Sequence, residues 1–306
     1  MHDIVARSPA PATAVSVFGP DEVFTRVAHG TADLATGRPV GIDDWWDLAS
    51  LTKVLVTLPE VLAAVPYLET PLEELWTPAR GYAVGRATIR ALLTHTAGLP
   101  ASVPFFRTAT GRDAILAAVL GTPLGPPDEV YSDLGFMLLG QVVEELTGRT
   151  LGTLAAERTG LRFGAPPSES VATEHDPWRG RLIVGEVHDE NAAAMGGVAG
   201  QAGAFGTLAL VTAAAQAWLR NPCPEACTPS APGARFGLGW VVAPRPGLGS
   251  AALPGFGHTG YVGNRLWLSP SRGLGVLILA NRVHPTREGT AEPYTRWCSS
   301  LFELLV

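Results

Sequence analysis

The chain opens on two segments rich in branched and aromatic residues, TAVSVF at 13–18 and EVFTRVAH at 22–29, on either side of the turn-forming Gly19-Pro20-Asp21. That pattern predicts a β-hairpin. After the loop ATGRPVGIDD, the run LTKVLVTL follows Asp47-Leu48-Ala49-Ser50, so Ser50 falls where a helix begins, and Pro59 kinks or ends that helix within three turns. From about 65 to 220 the apolar spacing is mostly helical, with helices predicted near 87–94, 111–120, 133–147, 150–158 and 207–220, between loops rich in Pro and Gly. The clearest stripe joins Leu134, Met137, Leu138, Val142 and Leu146. Beyond Pro232, the segments FGLGWVVAP, YVGNRLWLS and GLGVLILAN read as strands, the last two joined by a turn at Ser269–Gly273. A final helix carries Tyr294, Trp297, Leu301 and Leu304 on one face.

Strands at both ends around a helical middle predict an α/β (α+β) architecture. An antiparallel sheet is formed by both chain ends and flanked by terminal helices, with an all-α insertion. The expected division is a discontinuous sheet domain, 1–64 with 232–306, and a mainly helical domain, 65–231, with an active site in the cleft between them.

A hydrophobic content of 46% against 16% charged residues, over 306 residues, promises a sizeable core and excludes a disordered chain. The net charge of −6, with no cluster of basic residues, argues against a nucleic-acid partner. The longest strongly apolar run, LGVLILA at 274–280, is too short to span a bilayer, and the start has no basic segment followed by an apolar stretch. A soluble, cytoplasmic protein without a membrane span is expected. Three cysteines, Cys223, Cys227 and Cys298, make no disulfide framework. One count changes the picture. Of the 22 basic residues, only Lys53 is a lysine. Where arginine serves wherever a positive charge suffices, a solitary lysine points to a task the guanidinium cannot do, such as losing its proton near neutral pH.

Ser50 and Lys53 are three apart at a helix start, so one turn brings a nucleophile and a candidate base to one face, at the positive end of the helix dipole. Burial can lower a lysine until its amine accepts the hydroxyl proton. The plainer alternative is an N-cap serine beside a solvated first-turn lysine. Tyr131-Ser132-Asp133 precedes the clearest helix. Its phenol can shuttle a proton, while Asp133 or Ser132 can equally cap the helix. His258-Thr259-Gly260 follows the glycines of PGFG, which let a ligand approach the backbone, and adds a hydroxyl and a strand-edge amide. The Gly/Ala-rich segment 187–206 could line the site. Its consecutive His188, Asp189 and Glu190 do not point to one metal centre, so no metal or organic cofactor is expected.

Ser50-Leu51-Thr52-Lys53, Tyr131-Ser132-Asp133 and His258-Thr259-Gly260 resemble, in order, the three motifs of the penicillin-recognising serine hydrolases, which include class C β-lactamases, D-alanyl-D-alanine carboxypeptidases and related esterases. The phrases LLTHTAGLP, YSDLGFMLLGQVVEELTG, FGLGW and FGHTGYVGNRLWLSPSRGLGVLILANR extend the resemblance over nearly the whole chain. It implies a β-lactamase/transpeptidase-like fold, with Ser50 acylated, Lys53 its activating amine, Tyr131 the proton shuttle, and the amides of Ser50 and Tyr261 the oxyanion hole. Asp133 stands where the family often has Asn. A carboxylate close to Lys53 favours the ammonium, so either Asp133 turns away or Lys53 works in a hydrogen-bonded pair. His258 stands where β-lactam-processing relatives usually carry Lys, so that motif supplies no permanent cation. The expected activity is hydrolysis of a small ester, amide or peptide through an acyl-Ser50 intermediate, with short esters preferred to β-lactams and anionic substrates favoured as His258 gains a proton towards pH 6. The alternatives are a true β-lactamase and, in another class, a module that binds penicillin- or peptide-like ligands without turnover.

Overall fold

The computed structural model describes residues 1–305. Its main sheet has six strands in the spatial order Arg38–Pro39, Val23–Asp33, Ala12–Phe18, Leu274–Ala280, Arg265–Ser269 and Phe256–Thr259, with neighbours antiparallel. The first and last thirds of the chain therefore meet at the sheet's centre, with Thr13 opposite Ala280 and Phe18 opposite Gly275. Every residue from Ala12 to Phe18 is buried because both faces of the sheet are covered. Val15, Val17, Val276 and Ile278 pack against Trp297, Leu301 and Phe302 of the terminal helix Ala291–Leu304. Ala12, Ala14, Leu277 and Leu279 face the other way, into the core shared with the helix Leu208–Arg220. Burying such side chains contributes roughly 1.5–3 kcal/mol for each large one.

The predicted helices appear as Ile89–Leu93, Arg112–Leu120, Asp133–Thr147, Leu151–Thr159 and Leu208–Arg220. Thr88, Thr150 and Thr207 cap their helices through side-chain hydrogen bonds, and left-handed Gly148 and Gly160 close two of them. Four expectations need correction. The middle of the chain is not purely helical: Arg162–Phe163 and Ala204–Thr207 join Trp45–Asp47 in a three-stranded sheet, and His175–Asp176 pairs with Arg181–Leu182. FGLGWVVAP makes isolated bridges only, because the chain reverses at Gly239 (φ 77°), and the strand within YVGNRLWLS begins only at Arg265. Leu146 is 41% and Leu304 71% exposed, each lying at a helix end beyond the core. Finally, neither Ser132 nor Asp133 caps its helix: Ser132 Oγ donates to Pro100 O, and the Asp133 carboxylate turns to Lys53.

No helix among the described residues is long and apolar enough to cross a membrane.

Candidate active site

Three short-range devices set Ser50. The Trp45–Asp47 strand delivers the chain to Ala49, which takes the left-handed conformation (φ 47°) that an alanine rarely adopts. Buried Asp47 holds that turn by accepting from the Ala49 N–H at 2.7 Å, and its other oxygen accepts from the His188 N–H at 2.6 Å. Burial pushes the Asp47 carboxyl up, against the pull of those two amides. Downstream, residues Lys53–Thr57 form a π-helical turn that runs into the α-helix Leu58–Ala64. Pro59 falls just after that turn, without ending the helix.

Lys53 is fully buried. Its Nζ donates to Ser50 Oγ at 3.0 Å and to the Gln201 carbonyl at 2.9 Å, and it forms an ion pair with Asp133 Oδ1 at 2.7 Å. Burial alone would lower this lysine, yet Asp133 and Tyr131 outweigh it and hold the pKa above that of a free amine. The pairing with Asp133 thus favours the charged form of Lys53 over the neutral amine that the sequence led us to expect. Asp133 does not turn away, and three acceptors around one nitrogen describe an ammonium ion.

Tyr131 lies with its ring centroid 5.1 Å from Lys53 Nζ. Burial raises the phenol above its ordinary value, with Lys53 pulling the other way and hydrogen bonds to Lys53 and Ser50 favouring the phenolate. The ring is fixed by His95, itself left-handed (φ 61°), which packs at a 45° tilt 4.9 Å from Tyr131 and accepts from the Ser132 N–H at 3.1 Å. His95 is a neutral fixture, its pKa pushed down to about 3 by burial and by Lys53.

His258 and Thr259 lie on the edge strand, as expected, but PGFG does not open the backbone to a ligand. A side chain at Gly257 would collide with Leu266 O at 2.1 Å, so that glycine serves strand packing. Gly260 has a different use: a Cβ there would meet Leu48 O at 2.7 Å, so this glycine lets the third motif abut the segment entering Ser50. Asn264 stitches the same seam, donating to Asp47 O at 2.8 Å. Among the described residues, the amides of Ser50 and Tyr261 donate to no protein acceptor, which leaves both available to an oxyanion. The Tyr261 ring is 51% exposed, stacked on His188 and flanked by the guanidinium groups of Arg282 and Arg287 at 5.3 and 5.5 Å.

Burial and Lys53 hold His258 well below its ordinary pKa, which favours the neutral ring and works against the expected acid-side cation. Its Nδ1–H donates to Thr259 O. A permanent cation does stand beside the third motif, on a residue the sequence did not single out. Arg245, in a Pro/Gly-rich loop, donates to Thr259 Oγ1 at 3.1 Å and has no ion-pair partner among the described residues. Nothing in the local pattern of that loop marks it. Removing this cation tests its use. Arg245→Ala is expected to lower kcat/KM for substrates carrying a carboxylate about 30- to 100-fold, the worth of a charge-assisted hydrogen bond, and to leave neutral esters nearly unchanged. Equal losses on both substrate sets would contradict it.

The Gly/Ala-rich segment reaches the site at two points, Gln201 through its carbonyl and Asp189 through its carboxyl group.

A family model described as Beta-lactamase matches residues 1–299. N-acetylmuramyl-L-alanine amidase of Bacillus subtilis (strain 168) is 29% identical over an alignment covering 65% of this chain and 57% of that protein. The chain thus spans little more than half the length of that relative. Two solved structures are similar in fold: EstCE1, a hydrolase with promiscuous acyltransferase activity (TM-score 0.74, 19% identity, 98% of this chain and 96% of that one), and the class C beta lactamase from Rhodobacter sphaeroides (TM-score 0.72, 18% identity, 100% and 98%). With the match running over almost its full length, the chain belongs to the beta-lactamase family.

Proposed function

We propose that the protein is a serine hydrolase that transfers the acyl group of an ester or amide to water through an acyl-Ser50 intermediate, and that Arg245 selects acyl compounds bearing a carboxylate. The observation that carries the proposal is the buried Lys53 ammonium, 3.0 Å from a serine hydroxyl that begins a helical turn. The cleft between a sheet unit, 1–64 with 232–306, and a mainly helical unit, 65–231, admits the substrate.

In this reading Ser50 Oγ attacks the acyl carbon and its proton passes to Tyr131 Oη in one concerted shuttle, as the phenol proton moves off ahead of it, so that Tyr131 never carries two protons. The phenol gives its own proton to the leaving oxygen or nitrogen, which departs neutral. Lys53 keeps its proton throughout and stabilises the phenolate character of Tyr131 as it develops. The amides of Ser50 and Tyr261 receive the oxyanion. Water then repeats the sequence: its proton goes to Tyr131, the phenol proton returns to Ser50 Oγ, and the carboxylic acid leaves. An amidase among the relatives and an acyltransferring hydrolase among the structural neighbours support an acyl-transfer chemistry.

Treatment with a fluorophosphonate, followed by intact-mass analysis and peptide mapping, is expected to place one adduct on Ser50, and Ser50→Ala to lose both the adduct and turnover of p-nitrophenyl esters. An adduct on another serine, with Ser50→Ala still active, would refute the proposal. A burst without steady-state turnover would favour the binding module instead.

A further inference from the structure

Beside the Lys53–Asp133 ion pair lies a second carboxyl group that the proton transfers above leave unused. Asp189 caps the short helix Glu190–Ala194, its Oδ1 accepting from the Ala192 N–H at 2.7 Å and from Gln201 Nε2 at 3.2 Å. Gln201 is fully buried, and its backbone carbonyl accepts from Lys53 Nζ, so one residue ties Asp189 to the ammonium. Yet Gln201 Oε1 is sealed from solvent and has no hydrogen-bond partner among the described residues. A buried amide oxygen left bare is costly. A proton on the second oxygen of Asp189 removes the cost: acid and carboxamide then meet edge to edge, N–H to one carboxyl oxygen and O–H to the amide oxygen.

The surrounding charges favour that proton. Lys53 Nζ donates to Ser50 Oγ and Gln201 O and pairs with Asp133, and no ion pair joins it to Asp189 among the described residues. The neighbouring Glu190 is neutralised by Arg287 at 2.9 Å, and His188 is engaged by Glu174 at 2.8 Å. Burial, and then the negative charge of Asp133, push the Asp189 carboxyl up to about 6, against the Ala192 amide.

We infer that Asp189, protonated and paired with Gln201, is a positioning residue that keeps the Lys53–Asp133 pair electrically balanced, and that its ionisation slows acyl transfer. The inference rests on the acyl-Ser50 reading. When the Asp189 proton leaves to solvent, a second anion faces one cation. Lys53 is then less able to stabilise negative charge on Tyr131 and on the acyl oxygen.

Two measurements on the full chain test this. With p-nitrophenyl acetate, a neutral substrate, wild-type kcat/KM is expected to fall about tenfold across a limb centred near pH 6, and Asp189→Asn, which retains the helix cap, to lack that limb. Since Lys53 is the only lysine, lysine labelled with 13C gives a single Cε resonance from the active site. That resonance is expected to step near pH 6 in the wild type and not in Asp189→Asn. A merely structural aspartate would move neither. A limb and step that persist in the variant, or a wild-type resonance that does not move there, would overturn the inference. Loss of all turnover in both proteins would sink the acyl-transfer reading and the rate claim with it, while the resonance would still report whether Asp189 titrates beside Lys53.

Discussion

Replacing Lys53 by arginine is expected to lower kcat about 10³-fold or more while the protein still melts cooperatively, even though charge is preserved and every other basic position in this chain is already arginine. The reason is geometric. One nitrogen meets Ser50 Oγ, Gln201 O and Asp133 Oδ1 at 3.0, 2.9 and 2.7 Å, a set that a compact ammonium fills. A planar guanidinium is larger and presents its donors in one plane, so in a fully buried pocket it cannot serve all three acceptors without displacing Ser50. Paired thermal melts and ester assays decide the matter, and a folded Lys53→Arg protein with near wild-type kcat would show that only the charge is needed. The ion pair also has a predictable pH range. Because the folded lysine binds its proton more tightly than the free side chain at 10.5, its stabilisation is complete below that value and is lost only as pH rises through the still higher folded pKa.

The part of this site legible in the sequence is the part written in short spacings. Ser50 and Lys53 lie one turn apart, and Tyr131-Ser132-Asp133 abuts a helix that is marked by its apolar run, in which Leu134, Met137, Leu138 and Val142 are buried. Long periodic helices and the two chain-end sheet segments were legible for the same reason: periodicity reports burial over ten or more residues. Strands of two to four residues carry no such signal. The Trp45–Asp47 strand that delivers the nucleophile finds its partner in Ala204–Thr207, far away in sequence. Arg245 and Gln201 are invisible for a related reason, each reaching the site through contacts with residues distant in sequence. The sequence also raised the right question about Asp133 without answering it. Whether a carboxylate near Lys53 turns away or pairs is a matter of distance, and at 2.7 Å it pairs. That pairing favours the charged form of the solitary lysine, which the proposed path uses as a cation rather than as a proton acceptor.

In the proposed path Tyr131 carries the proton, and removing its hydroxyl is expected to cost about 10²- to 10⁴-fold in kcat with little change in KM. Lys53 Nζ lies 5.1 Å from the Tyr131 ring centroid, and His95 packs against that ring, so Tyr131→Phe deletes one oxygen while leaving the aromatic packing in place. In the proposed path the same oxygen handles the proton when Ser50 is acylated and when water releases it. Both half-reactions should therefore slow, and with a reactive ester the acyl-enzyme should persist long enough to be seen by intact mass. The alternative is that Lys53 gives up its proton transiently and takes the one from Ser50 itself. In that case Asp133→Asn, which removes the anion holding the ammonium, should speed the reaction, and Tyr131→Phe should cost little. The proton path through Tyr131 predicts the reverse for both variants: the neutral amide introduced by Asp133→Asn would let Lys53 lose charge at alkaline pH and bring kcat down there, and Tyr131→Phe would be crippled at every pH. A Tyr131→Phe protein within about fivefold of wild-type kcat would return the role of base to Lys53.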